Sequence, residues 1–103
     1  MKTALAQIAP EFGDITENVE KHREFIRRAD EVNTDLLVFP ELSLTGYSIG
    51  PKVPDLSLGK RDRILTDLAQ LSSEMTVVIG FVEESRDGQF YNSAAILKDG
   101  RVL

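Results

Sequence analysis

The chain has no cysteine. This excludes disulfides and thiolate metal sites, and it leaves all 103 residues without a thiol nucleophile. Long apolar runs are also missing: nothing approaches the ~20 residues needed to cross a bilayer, so no membrane partner is expected. Positive charge is scarce. Acids outnumber bases 17 to 12, the formal charge is −5, and no run of Lys or Arg exceeds two residues. Counterion-release binding needs a clustered basic surface, so no nucleic-acid partner is expected either. Histidine occurs once, at His22. A lone histidine on the apolar side of a helix reads as a packed, hydrogen-bonded side chain, so neither a metal nor another cofactor is expected. The opening "MKTALAQIAP" lacks a secretory h-region and a small-residue cleavage site, and reads as the first strand of a cytoplasmic protein.

What is present fits one α/β domain with a modest core, 42% of the residues being hydrophobic. Residues 3–9, "TALAQIA", suit a strand covered on both faces. Asp14 followed by Glu17 marks a helix start. Ile15, Val19, His22, Ile26 and Ala29 then recur at helical spacing, flanked by Phe25 and Val32. Glu17–Lys21 and Glu24–Arg28 stand at i,i+4 on the other face. "DLLVF", 35–39, is a second buried strand. The Gly- and Pro-rich stretch "SIGPKVPDLSLGK" reads as irregular. Ile64, Leu68, Leu71 and Met75 mark a second helix over roughly 60–74. Strands follow at 76–84 and 90–98, with a hairpin turn at Asp99-Gly100. The βαβαβ order predicts helices packed on a sheet whose first three strands are parallel. The last turn calls for a returning arm longer than Arg101–Leu103, so the chain is expected to be truncated within a hairpin.

One stretch carries chemistry. In "LLVFPELSLTGYSIGP", residues 36–51, the only charged side chain is Glu41. It lies just past the carboxyl end of a strand, where sites form in open α/β sheets. Pro40 stiffens its approach, Gly46 permits a tight return, and Leu42, Leu44 and Ile49 could wall it. Apolar walls favour the neutral carboxylic acid and so make a glutamate useful as a base near neutral pH. A solvated loop acid remains the alternative on composition alone. Residues 50–60 lack the glycine spacing and the Ser or Thr of a phosphate loop.

The string "FPELSLTGY" resembles the first catalytic motif of the nitrilase superfamily of carbon–nitrogen hydrolases. "ALAQIAPEFGDITENVEKHREFIRRA" and "YNSAAILKDGRVL" are similar to flanking segments of that family, in the same order and spacing, so the resemblance spans essentially the whole chain. It implies that residues 1–103 are the N-terminal part of a single αββα-sandwich domain that forms homodimers or higher homo-oligomers. It also implies a Glu–Lys–Cys triad acting on an amide, carbamoyl or nitrile group of a small molecule through a thioester. Glu41 matches the glutamate, the general base toward the thiol. Tyr47 matches a tyrosine near the substrate, with core packing as the alternative. Asn92 reads as a buried structural amide. Lys98 does not match the family's lysine, which lies beyond the hairpin, as does the cysteine. The chain alone is therefore expected to be inactive.

Three functions remain in view. The simplest is a stand-alone amidase. The same motif also resembles the glutaminase domain of glutamine-dependent NAD synthetases, which passes ammonia to a second site. The third is a non-catalytic α/β module used for binding or assembly.

Overall fold

In the computed structural model, which describes residues 1–47 and 49–103, five strands form one open sheet in the order β1-β2-β3-β4-β5. β1 (Thr3–Leu5), β2 (Leu36–Val38) and β3 (Thr76–Glu84) are parallel. β4 (Phe90–Lys98) and β5 (Arg101–Val102) continue the sheet antiparallel. The β3 and β4 bounds coincide with the sequence reading. The β4–β5 turn has positive φ at both Asp99 (53°) and Gly100 (74°), the twist that a two-residue hairpin demands.

Helix α1 (Ile15–Glu31) crosses from β1 to β2. Its start is capped as expected, the Asp14 side chain accepting the Glu17 N–H at 3.0 Å. Its buried positions are Asn18, His22, Ile26 and Ala29, whereas Val32 is exposed. Glu24–Arg28 pairs at 3.8 Å, but Lys21 turns away from Glu17 to Glu11, at 3.5 Å. The core joins Ile26 and Ala29 to Leu37, Val77, Ile79, Phe81, Ala95 and Leu97 of the sheet and to Leu65 and Leu68 of α3 (Arg63–Ala69).

Three expectations are corrected. The second helix is shorter than 60–74, because Asp62 caps Ile64 N–H and the chain leaves the helix after Ala69 in tight turns. The stretch read as irregular contains a 3-10 turn at Gly50–Lys52 and a short helix, α2 (Val53–Leu56). Pro51 and Pro54 occupy first-turn positions, where a missing N–H costs nothing. Ser48, which opens that stretch, lies outside the described residues. Finally, β1 is not covered on both faces. It forms the sheet edge, and Leu5 is 71% exposed.

The sheet face opposite the helices carries Leu5, Val38, Val78 and Ile96 in register across four strands. Leu5 and Ile96 on it are exposed, and Val38 and Val78 partly so. Glu41 sits on a loop above this face.

Candidate functional site

The loop after β2 folds back onto β3. Phe39 is buried and its N–H donates to Val78 O at 2.9 Å. After Pro40 the chain makes one tight turn, Gly46 N–H donating to Leu42 O at 2.7 Å. Leu42 takes a left-handed φ of 51°, unusual for a residue with a Cβ and worth roughly 1–3 kcal/mol of strain. Such a conformation persists only where the surroundings enforce it.

They do so from beneath. Leu44 N–H donates to Gly80 O at 3.0 Å, and Gly80 N–H donates to Ser43 Oγ at 3.1 Å. The bare α-carbon of Gly80 is the seat for the turn: a Cβ there would stand 2.3 Å from Leu42 N and 2.8 Å from Pro40 O. The Asn18 amide, fully buried, donates to Leu44 O at 2.9 Å and to Glu11 O at 2.8 Å, and accepts Glu11 N–H at 2.7 Å. This amide ties the Glu41 loop to the β1–α1 connection.

His22 completes the support. It is fully buried and stacks on Phe39 with ring centroids 4.2 Å apart. Its Nδ1 faces Asn18 O at 2.6 Å and its Nε2 faces Ser43 Oγ at 2.8 Å. A carbonyl can only accept, so Nδ1 carries the proton and Nε2 is the acceptor. Burial lowers its pKa from 6.5 to about 4, against the smaller raising effect of the Asn18 hydrogen bond, so His22 is neutral at physiological pH. This matches the packed, hydrogen-bonded histidine expected from the sequence.

Above the support, Glu41 lines an open cleft formed by residues 39–41, 78–80 and 92–94. The Asn92 amide donates to Glu41 Oε1 from across the cleft, leaving Oε2 for other chemistry. Two expectations change here. The carboxylate is exposed rather than walled by Leu42, Leu44 and Ile49; Leu44 and Ile49 are buried in the interior, and none of the three lines the cleft. Asn92 is exposed rather than buried, and the neighbouring loop its amide bonds is the one that carries Glu41. The register of β4 against β3 brings Asn92 to this face. Counting back along β4 and β3 from the turn that joins them sets Asn92 opposite Val82 and Ala94 opposite Gly80, on one face.

Tyr47 is half-exposed on the same loop and does not line the Glu41 cleft. Lys98 is at the far end of β4, paired with Arg101 beside the hairpin turn. Among the described residues no cluster of three His, Cys, Asp or Glu side chains could hold a metal ion, and no helix is long and apolar enough to cross a membrane. A carboxylate with one oxygen held by a neutral amide and the other free can take a proton from a group brought into the cleft.

Known proteins resemble this chain over nearly its whole length. The family described as "Carbon-nitrogen hydrolase" matches residues 2–103. The glutamine-dependent NAD(+) synthetase of Acinetobacter baylyi is 38% identical over 99% of this chain and 19% of its own length. That of Thermotoga maritima is 39% identical over 100% of this chain and 18% of its own. The solved structure of the Acinetobacter baumannii glutamine-dependent NAD+ synthetase superposes with a TM-score of 0.77 at 35% identity, covering 98% of this chain and 19% of that one. The chain thus spans about a fifth of the length of these two curated relatives. With a match over nearly its whole length, an open α/β sheet and Glu41 seated beyond the second strand, the chain belongs to the carbon–nitrogen hydrolase family of the nitrilase superfamily.

Proposed function

We propose that residues 1–103 form the N-terminal part of the glutaminase domain of an ammonia-transferring synthetase, with Glu41 as its general base. The observation that carries this reading is the 38–39% identity, over essentially the entire chain, to synthetases that use glutamine. Of the functions the motif allows, this one has closer support than a stand-alone amidase.

In this reading the free Oε2 of Glu41 takes the proton of a cysteine thiol from elsewhere in the complete protein. The thiolate attacks the amide carbon of glutamine, a lysine stabilises the oxyanion, and ammonia leaves with the proton returned by Glu41. Glu41 then deprotonates the water that cleaves the thioester and releases glutamate. Asn92 keeps the carboxylate aimed throughout.

The test uses the complete protein with Glu41→Gln. Glutamine-driven synthesis is expected to fall by at least about 100-fold, the usual worth of a general base, while synthesis from added ammonium and the thermal midpoint persist. Near-normal glutamine turnover in the folded variant removes the base assignment. Amide hydrolysis without any ammonium-driven synthesis in the parent protein identifies a stand-alone amidase. No turnover of either kind leaves the non-catalytic module.

A further inference from the structure

The side chain of Glu41 is exposed and, among the described residues, hydrogen-bonded by one amide, so its aim depends on the backbone that launches it. That backbone holds a left-handed leucine immediately after Glu41, and the restraint on it comes from the inner side. There the proton directions are forced. Gly80 N–H can only donate, so Ser43 Oγ accepts from it. The one hydroxyl hydrogen of Ser43 then chooses between His22 Nε2 at 2.8 Å and Gly80 O at 3.5 Å, and the shorter contact wins. The result is a directed chain from Gly80 N–H to Ser43, from Ser43 to neutral His22, and from His22 to Asn18 O. Every member but the terminal carbonyl both accepts and donates or is a fixed backbone donor. The chain joins β3, the Glu41 turn and α1 at one buried point.

We infer that His22 and Ser43 are positioning residues for Glu41: by locking the turn onto Gly80 they set the direction in which the carboxylate enters the cleft. The inference rests on the reading of Glu41 as the base. It goes further in giving two buried residues, neither of which touches the cleft, a share in turnover. Ser43 is the joint, because its hydroxyl is bonded to both β3 and α1. His22 is the acceptor that orients that hydroxyl, and its stacking on Phe39 fixes the ring.

The experiment compares four variants of the complete protein in glutamine hydrolysis: Ser43→Ala, His22→Phe, His22→Gln and Glu41→Gln. Displacement of a reacting group by about 1 Å can cost on the order of 100-fold, so Ser43→Ala is expected to lower kcat by roughly 10- to 100-fold with KM little changed. His22→Phe keeps the stack but cannot accept the hydroxyl, and it should lower kcat similarly. His22→Gln offers an amide oxygen to Ser43 and should recover most of that loss, a rescue that packing alone would not produce. Thermal midpoints confirm that each variant compared is folded. Should Ser43→Ala fail to fold, the Phe and Gln variants at position 22 still decide. Folded Ser43→Ala or His22→Phe with parental kcat, or no recovery in a folded His22→Gln, overturns the inference while an inactive Glu41→Gln leaves the base assignment standing. An active Glu41→Gln removes the reading beneath it.

Discussion

Glu41 and Asn92 stand 51 residues apart in the chain and share a hydrogen bond over the cleft. An amide is the right partner for a base: it donates to the anion without carrying a charge that would oppose proton uptake. Asn92→Ala in the complete protein is expected to lower kcat about tenfold, the scale of one hydrogen bond to a charged group softened by its exposure to water. Asn92→Asp should be worse than Ala, since it removes the donor and sets a second negative charge beside Glu41. Steady-state kinetics on both variants checks this, and parental rates for both would show that the amide does not act on the carboxylate. The reading of Glu41 as a base comes from the resemblance carried by "FPELSLTGY"; its position, the only charge in a neutral stretch and after a proline at a strand end, was legible from the residues alone. Asn92 was not, because its role depends on strand register, which a local pattern does not supply. Asn18 was hidden for a related reason: it falls on the apolar face of α1, where a buried amide is recognisable only once the loops it bonds are in place.

At the scale of elements, β3 does more than pair. Its continuous apolar run made its limits readable at 76–84, whereas a period of two marked 90–98, where one face of the strand is more exposed than the other. The pattern says nothing about the job of Gly80, which is to leave room for the turn that bears Glu41. Gly80→Ala in the complete protein would drive a methyl group into backbone atoms, and backbone cannot swing aside as a side chain can. The expected cost is at least about 1–3 kcal/mol in stability together with a displaced Glu41 loop. Gly59→Ala is the control, because a Cβ there meets nothing within 4 Å and its φ lies outside the left-handed range. It should be neutral or slightly stabilising. Denaturant midpoints for the pair make the comparison, and equal midpoints would mean that the turn is not seated on Gly80. Two of the elements the sequence misjudged, β1 and residues 50–56, owe their form to position rather than composition. An edge strand and a pair of proline-started turns are tolerated where few neighbours compete.

For the molecule as a whole, the buried chain through His22 couples global stability to pH. The folded-state pKa of about 4 lies below the ordinary value of 6.5, chiefly because burial penalises the charged ring. Between those two values the unfolded chain binds a proton that the folded chain refuses, so stability falls as pH drops through this window. The contribution is fully present above pH 6.5 and lost by about pH 4, below which His22 is charged in both states and adds no further slope. The span corresponds to about 3 kcal/mol. His22→Gln carries no titrating ring, so its stability should depend less steeply on pH over the same window. Urea unfolding of the complete parent protein and of His22→Gln at a series of pH values isolates the effect, since carboxylates titrate alike in both and cancel in the difference. Parallel curves between pH 4 and 6.5 would show that His22 takes up its proton without disturbing the fold. Curves that converge as the pH falls, the parent protein losing the ground, would show that the neutral ring beneath the Glu41 turn is a condition of the native state.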